Sequence, residues 1–147
     1  MAAVRYALPQ PYEEIPHTAD VGLAVRGSSP AEALSRLVLA LGALLADGGE
    51  VPEAREEVLR ASGGTDLAQT AVAALREVLF RFATRREIPC ACEVRSFSPG
   101  EAELRLGVGL YDPVRHAEGV DVKAVTYHAA RFEQDHSGWR AEVVLDI

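Results

Sequence analysis

Asp121-Val122-Lys123-Ala124-Val125-Thr126-Tyr127-His128 is the stretch on which the fold turns. Val122, Ala124 and Thr126 alternate with Lys123, Val125 and Tyr127, the period-two rhythm of a β-strand. The strand extends over about residues 120–133 and is the third of four that close the chain. Strands are expected at about 89–98, 101–111, 120–133 and 139–147. Ser98-Pro99-Gly100 and residues 134–138 are tight turns that make antiparallel hairpins of their neighbours. Lys123 is the only lysine in the chain; every other basic residue is arginine. Inside a strand its ammonium needs a carboxylate or phosphate partner, or a stem long enough to reach water.

Upstream the pattern changes period. Ser29-Pro30-Ala31-Glu32 is a complete helix start: Ser29 caps, Pro30 takes the first position and Glu32 completes a capping box. Leu34, Leu37, Val38, Leu41, Leu44 and Leu45 then fall on one stripe, and Asp47-Gly48-Gly49 ends the helix. Asp47 either lies at the negative end of the helix dipole, where a cation would relieve it, or serves the turn just beyond. A second helix is expected over 65–84, capped by Thr65 or Asp66, with Leu67, Ala71, Leu75, Val78, Leu79 and Phe82 as its apolar stripe. Arg85-Arg86-Glu87 reads as an exposed exit. Short strands are expected at 12–15, at Val21–Val25 and at 56–62. Gly22 and Ala24 lie on the small-residue face of the second of these, and Asp20 stands at its start. Residues 1–11, with two prolines and no periodicity, are expected to be a flexible arm, and 12–147 a single domain. Two helices among antiparallel strands define an α+β class: a two-layer sandwich with both helices on one mostly antiparallel β-sheet.

Composition sets limits on function. The chain has 147 residues, is 48% hydrophobic and 25% charged, and carries a formal charge of −7. That size supports one real core. Direct strong nucleic-acid binding is disfavoured, since phosphate contacts need clustered Lys and Arg. The acidity suits a basic partner surface or bound cations. No apolar run is long enough to span a membrane, the N-terminus lacks a secretory pattern, and the expected location is cytoplasmic. Cys90 and Cys92 are too close for an unstrained disulfide and read as buried thiols.

Familiar catalytic signatures are absent: there is no G-x-S-x-G, P-loop, H-E-x-x-H or G-x-G-x-x-G. What stands out is carboxylates at the ends of elements: Asp20, Asp47 and Asp146, with the α-carboxylate of Ile147 beside the last. These are hard oxygen donors suited to Ca²⁺ or Mg²⁺. Spacing alone leaves their convergence open. His17 and His128, with Asp20, are an alternative imidazole set for a transition metal. The loop at 112–119 carries Asp112, Arg115 and His116, and long loops of this kind often hold function.

Tyr12-Glu13 followed by His17-Thr18-Ala19-Asp20-Val21-Gly22 resembles the opening of the archease family. Lys123-Ala124-Val125-Thr126-Tyr127-His128 is similar to that family's most distinctive block, preceded by Asp112, Arg115 and His116. Leu145-Asp146-Ile147 resembles its ending. The resemblance covers residues 12–147, in order. It implies a two-layer α+β domain and a non-catalytic protein cofactor of the RtcB-type RNA ligase of tRNA splicing. Such a cofactor promotes GMP transfer from GTP to the ligase's active-site histidine and multiple turnover. The implied metal and activity residues are Asp20, Asp146 and Lys123. Asp47 is the third acidic ligand, in Leu45-Ala46-Asp47 where the family has a segment like Met-Thr-Asp, and the Ile147 carboxylate contributes. The implied cofactor is a divalent cation, Ca²⁺ foremost with Mg²⁺ or Mn²⁺ as alternatives. The ligase is the expected partner, with homo-oligomers left open. Two other classes compete: a metal-dependent phosphohydrolase using the same carboxylates with His17 or His128 as base, and a chaperone-like binding module.

Overall fold

The computed structural model describes residues 3–16, 20–116 and 120–147. Its elements run β1 (Arg5–Ala7), β2 (Glu13–Pro16), β3 (Asp20–Gly27), α1 (Pro30–Leu45), β4 (Arg55–Gly63), α2 (Leu67–Arg85), β5 (Glu87–Ser98), β6 (Gly100–Leu110), β7 (Ala124–Asp135) and β8 (Gly138–Asp146).

Local signals place the helices. Ser29 accepts the Glu32 N–H at 3.1 Å, and Glu32 reaches back to the Ser28 N–H at 2.9 Å. One orphan donor of α1, the Glu32 N–H, is thereby satisfied, together with the N–H of the residue before its cap. Asp66 caps α2 through the Gln69 N–H at 2.8 Å. Arg86, left-handed at φ 57, closes its far end through an N–H bond to the Phe82 carbonyl. The C-terminus of α1 is a Schellman turn. The Gly48 N–H bonds the Ala43 carbonyl at 2.9 Å and the Asp47 N–H bonds Leu44 at 3.2 Å. Asp47 thus lies beyond the helix at φ 52, in the position usually given to glycine.

The strands divide into two antiparallel four-stranded sheets, β1-β5-β6-β4 and β2-β3-β8-β7. This corrects the expectation of a single sheet carrying both helices; the α+β class and the antiparallel hairpins stand. Each helix touches both sheets: α1 packs on β5 of the first and on β3 and β8 of the second, while α2 packs on β4, β5 and β6 and on β7. The reason lies in α1 itself. Beyond the expected stripe it buries Ala33, Ser35, Leu39, Ala40 and Gly42, so it is apolar on nearly every side and one sheet could not cover it. Leu34, Leu37, Leu39 and Leu41 are each fully buried, and each such side chain contributes about 1.5–3 kcal/mol.

Two glycines let backbone cross backbone. A Cβ on Gly109 would stand 2.5 Å from the Pro52 carbonyl oxygen, and one on Gly138 would stand 2.7 Å from that of Gly27. Helix α2 also covers both sheet edges beside it. Arg81 donates to the Val58 carbonyl of β4 at 3.1 Å, and Arg76 to the Val125 carbonyl of β7 at 2.8 Å. Edge carbonyls left open would invite pairing with another chain.

Two further expectations differ. Within the supposed arm, Arg5–Ala7 pairs with Glu93–Ala91 of β5. Residues 120–123 precede the strand rather than belong to it, so Lys123 stands at the mouth of β7.

Candidate functional site

The first residue of β3 and the last of β8 are both aspartates, and the register makes them partners: Asp20 opposite Asp146, Val21 opposite Leu145. Directly opposed residues point to the same face with Cβ atoms about 4.5–5.5 Å apart. On the other side of β8, Asp146 is opposite Ala124 of β7. The Lys123 N–H donates to the Asp146 carbonyl at 2.7 Å, a backbone bond outside the β7–β8 register. Asp20 is half-buried, whereas Lys123, Asp146 and Ile147 are exposed. Three residues far apart in the chain are therefore drawn to one end of the second sheet because β8 lies between β3 and β7.

The other candidates fall elsewhere. Asp47 is exposed in the turn after α1. Its negative charge, after burial and Glu14, helps push the Tyr12 phenol up. Among the described residues, no three His, Cys, Asp or Glu side chains form a group able to hold a metal ion. His17 lies outside the described residues. His128 is exposed, and its backbone N–H donates to Thr126 Oγ1 at 3.1 Å.

The described part of the loop, residues 112–116, owes its shape to His116, which is 1% exposed. His116 Nδ1 accepts the Asp112 N–H at 2.9 Å, and Nε2 lies 2.9 Å from the Glu50 carbonyl. Only the tautomer with hydrogen on Nε2 satisfies both. Asp112 Oδ1 accepts the Val114 N–H at 2.9 Å, and Oδ2 lies 3.7 Å from Arg115 Nε. This triad staples the loop to the segment after α1, so its visible role is structural.

Sequence reasoning missed a carboxyl pair. Glu87, expected on an exposed exit, is 1% exposed and ion-paired to Arg55. Arg55 also holds Glu57 at 2.8 Å, and Arg81 reaches Glu57 at 3.3 Å. Burial, then a hydrogen bond with Glu57, pushes the Glu87 carboxyl up. The hydrogen bond from Arg55 holds Glu57 down. Arg55 sits far upstream on β4, and Arg85-Arg86-Glu87 gives no local sign of it. The cysteines behave as read: both are free and buried, and burial pushes the Cys92 thiol up to about 12.

Opposed carboxylates at a strand end, on a domain of two helices and two antiparallel sheets, make a scaffold presenting hard oxygen donors. The archease protein family (MTH1598/TM1083) matches residues 12–147. Protein archease of Methanopyrus kandleri is 35% identical over 140 residues, spanning 93% of this chain and 99% of that one. Protein archease of Methanosarcina mazei is 30% identical over 141 residues, spanning 92% and 95%. The crystal structure of a Thermotoga maritima protein, described as an archease and possible chaperone, superposes with a TM-score of 0.61 at 19% identity, covering 97% of this chain and 99% of that one. The solution structure of Methanobacterium thermoautotrophicum protein 1598 gives a TM-score of 0.61 at 20% identity, covering 92% and 98%. The chain belongs to the archease family.

Proposed function

We propose that this protein is a non-catalytic cofactor of an RtcB-type RNA ligase in tRNA splicing. It promotes transfer of GMP to the ligase's active-site histidine and sustains multiple turnover, in the cytoplasm. The observation that carries this is the register pair Asp20–Asp146 with Lys123 tied to Asp146 through the backbone. Family membership over 12–147 supports it.

The donor chemistry fits a divalent cation. Two carboxylates directly opposite one another repel, and a hard cation between them removes that repulsion while gaining oxygen ligands. Ca²⁺ suits the pair first, with Mg²⁺ or Mn²⁺ as alternatives. Asp20 and Asp146 would hold it and Ile147 lies beside them, while Asp47, in the turn after α1, is a ligand only if its own substitution weakens binding. Two or three carboxylates do not fill six to eight positions, so water and the partner complete the shell. When bound, the ion neutralises phosphate charge. The residues of this chain position it: β3 and β8 fix the two carboxylates, and the Lys123 ammonium orients one of them.

The test is a GMP-transfer assay on the ligase with this protein well below stoichiometric dose. Repeated turnover of ligase per molecule of cofactor is expected. Ligase guanylylation unchanged by the protein would end the proposal. A chaperone-like role instead predicts protection of unrelated clients from aggregation that does not depend on Asp20.

A further inference from the structure

Strand β7 leaves its partner and returns. It pairs with β8 at Thr126 opposite Val144 and again at Arg131 opposite Glu142. Between those pairs β8 spends one residue, Val143, while β7 spends four: Tyr127, His128, Ala129 and Ala130. An ordinary bulge sets two residues against one. Ala129 sits at φ 60, a left-handed conformation that costs a residue with a Cβ. Strain of this kind persists where the surroundings impose it, and it clusters at ligand clamps and switch regions.

The bulge presents a fixed aromatic side chain. Tyr127 is 42% exposed. The Arg76 guanidinium lies over its ring, 4.0 Å from the centroid, and Arg76 Nε is bonded to the Val125 carbonyl. The ring is therefore braced by α2 in an orientation set before any partner arrives. A bulge serving only to bend β7 would return Phe132 to the core, as it does at 8% exposure, without needing an outward tyrosine. Tyrosine and arginine are the residues that dominate binding energy at interfaces.

Position and charge select the partner. Thr126, where the bulge begins, is two residues from Ala124, the register partner of Asp146. At that end Asp20, Asp121 and Asp146 outnumber Lys123, in a chain of net charge −7. Phosphate backbones would be repelled; a basic protein surface would be attracted.

We propose that the β7 bulge, through Tyr127 and His128, is a docking surface for a basic protein surface, with a partner Arg or Lys against the side of the Tyr127 ring that Arg76 does not cover and further cations facing the Asp20–Asp146 end. This rests on the cofactor reading, in which the partner is the RtcB-type ligase. The affinity of the protein for that ligase is measured with Tyr127→Ala, Tyr127→Phe, His128→Arg and, as an exposed control beside β1 at the edge of the first sheet, Val4→Ala. Tyr127→Ala should weaken binding about tenfold or more, with Tyr127→Phe and Val4→Ala near wild type. His128→Arg, which adds a cation opposite a basic partner without touching the core, should weaken binding at low salt and recover as salt rises. Wild-type binding that survives both Tyr127→Ala and His128→Arg unchanged overturns the docking surface and leaves the cofactor reading standing. Tighter binding by His128→Arg, or RNA binding that is lost with Tyr127→Ala, overturns the basic-partner assignment. No ligase binding by the wild type overturns both readings together.

Discussion

Asp20 and Asp146 are register partners across β3 and β8, two like charges held opposite one another on one face of a sheet end. Such a pair lowers stability by about 0.2–1 kcal/mol when nothing neutralises it. Asp146→Asn should therefore raise the Tm slightly in the presence of a chelator. Added Ca²⁺ should then raise the wild-type Tm and leave that of the variant unmoved. Equal Ca²⁺ responses in the two proteins would show that the ion, if bound, is held elsewhere.

Asp47 offers a separable test. It occupies the left-handed position of the α1 Schellman turn at φ 52. Asp47→Gly removes a steric cost of about 1 kcal/mol and should raise the midpoint of urea unfolding in chelator. If Asp47 is also a ligand, the same variant should bind Ca²⁺ more weakly in calorimetry. Gain of stability without loss of affinity would restrict the cation to Asp20 and Asp146.

His116 should prove a stability residue rather than a functional one. His116→Ala strands the Asp112 N–H and the Glu50 carbonyl, both bonded at 2.9 Å. The expected loss is about 2–4 kcal/mol in urea unfolding. At a temperature where the variant remains folded, its stimulation of the ligase should match wild type.

The Glu57–Glu87 pair predicts a pH dependence. Burial, first, and the hydrogen bond with Glu57 raise the Glu87 carboxyl in the folded state. A raised folded value means its contribution is fully present below the unfolded value of about 4.3. That contribution is lost as pH rises through the folded value. Glu87→Gln imitates the protonated form and keeps an oxygen for Arg55. Its stability relative to wild type should improve from pH 4 to pH 7.5 in urea unfolding. A difference that stays constant across that window, or shrinks, would contradict the assignment.

The hairpins and both helix starts were legible because their signals are local. Ser29 and Asp66 cap through residues three positions away, and Pro99 stands alone between β5 and β6. The second sheet was less visible, although Leu39, Ala40 and Gly42 on the supposedly outer side of α1 already indicated a helix covered all round. Alternation continues through residues 121–123 and so extends the expected strand over Lys123; alternation reports a rhythm and not where a partner strand ends. Glu87 was misread because its neighbours in sequence are charged while Arg55, the residue that pairs with it, belongs to another strand. The juxtaposition of Asp20 with Asp146 followed from family likeness alone, since strand order in a sheet is not written in either segment.

The most direct measurement is the initial rate of ligase guanylylation with substoichiometric wild-type protein, Asp20→Asn, Asp146→Asn or Lys123→Met, each checked for an unchanged fold. Wild type should accelerate GMP transfer over many turnovers, and each variant should lose most of that acceleration, with both aspartate variants failing even at high Ca²⁺, Mg²⁺ or Mn²⁺. Full stimulation by all three folded variants would contradict a role for this sheet end in activating the ligase.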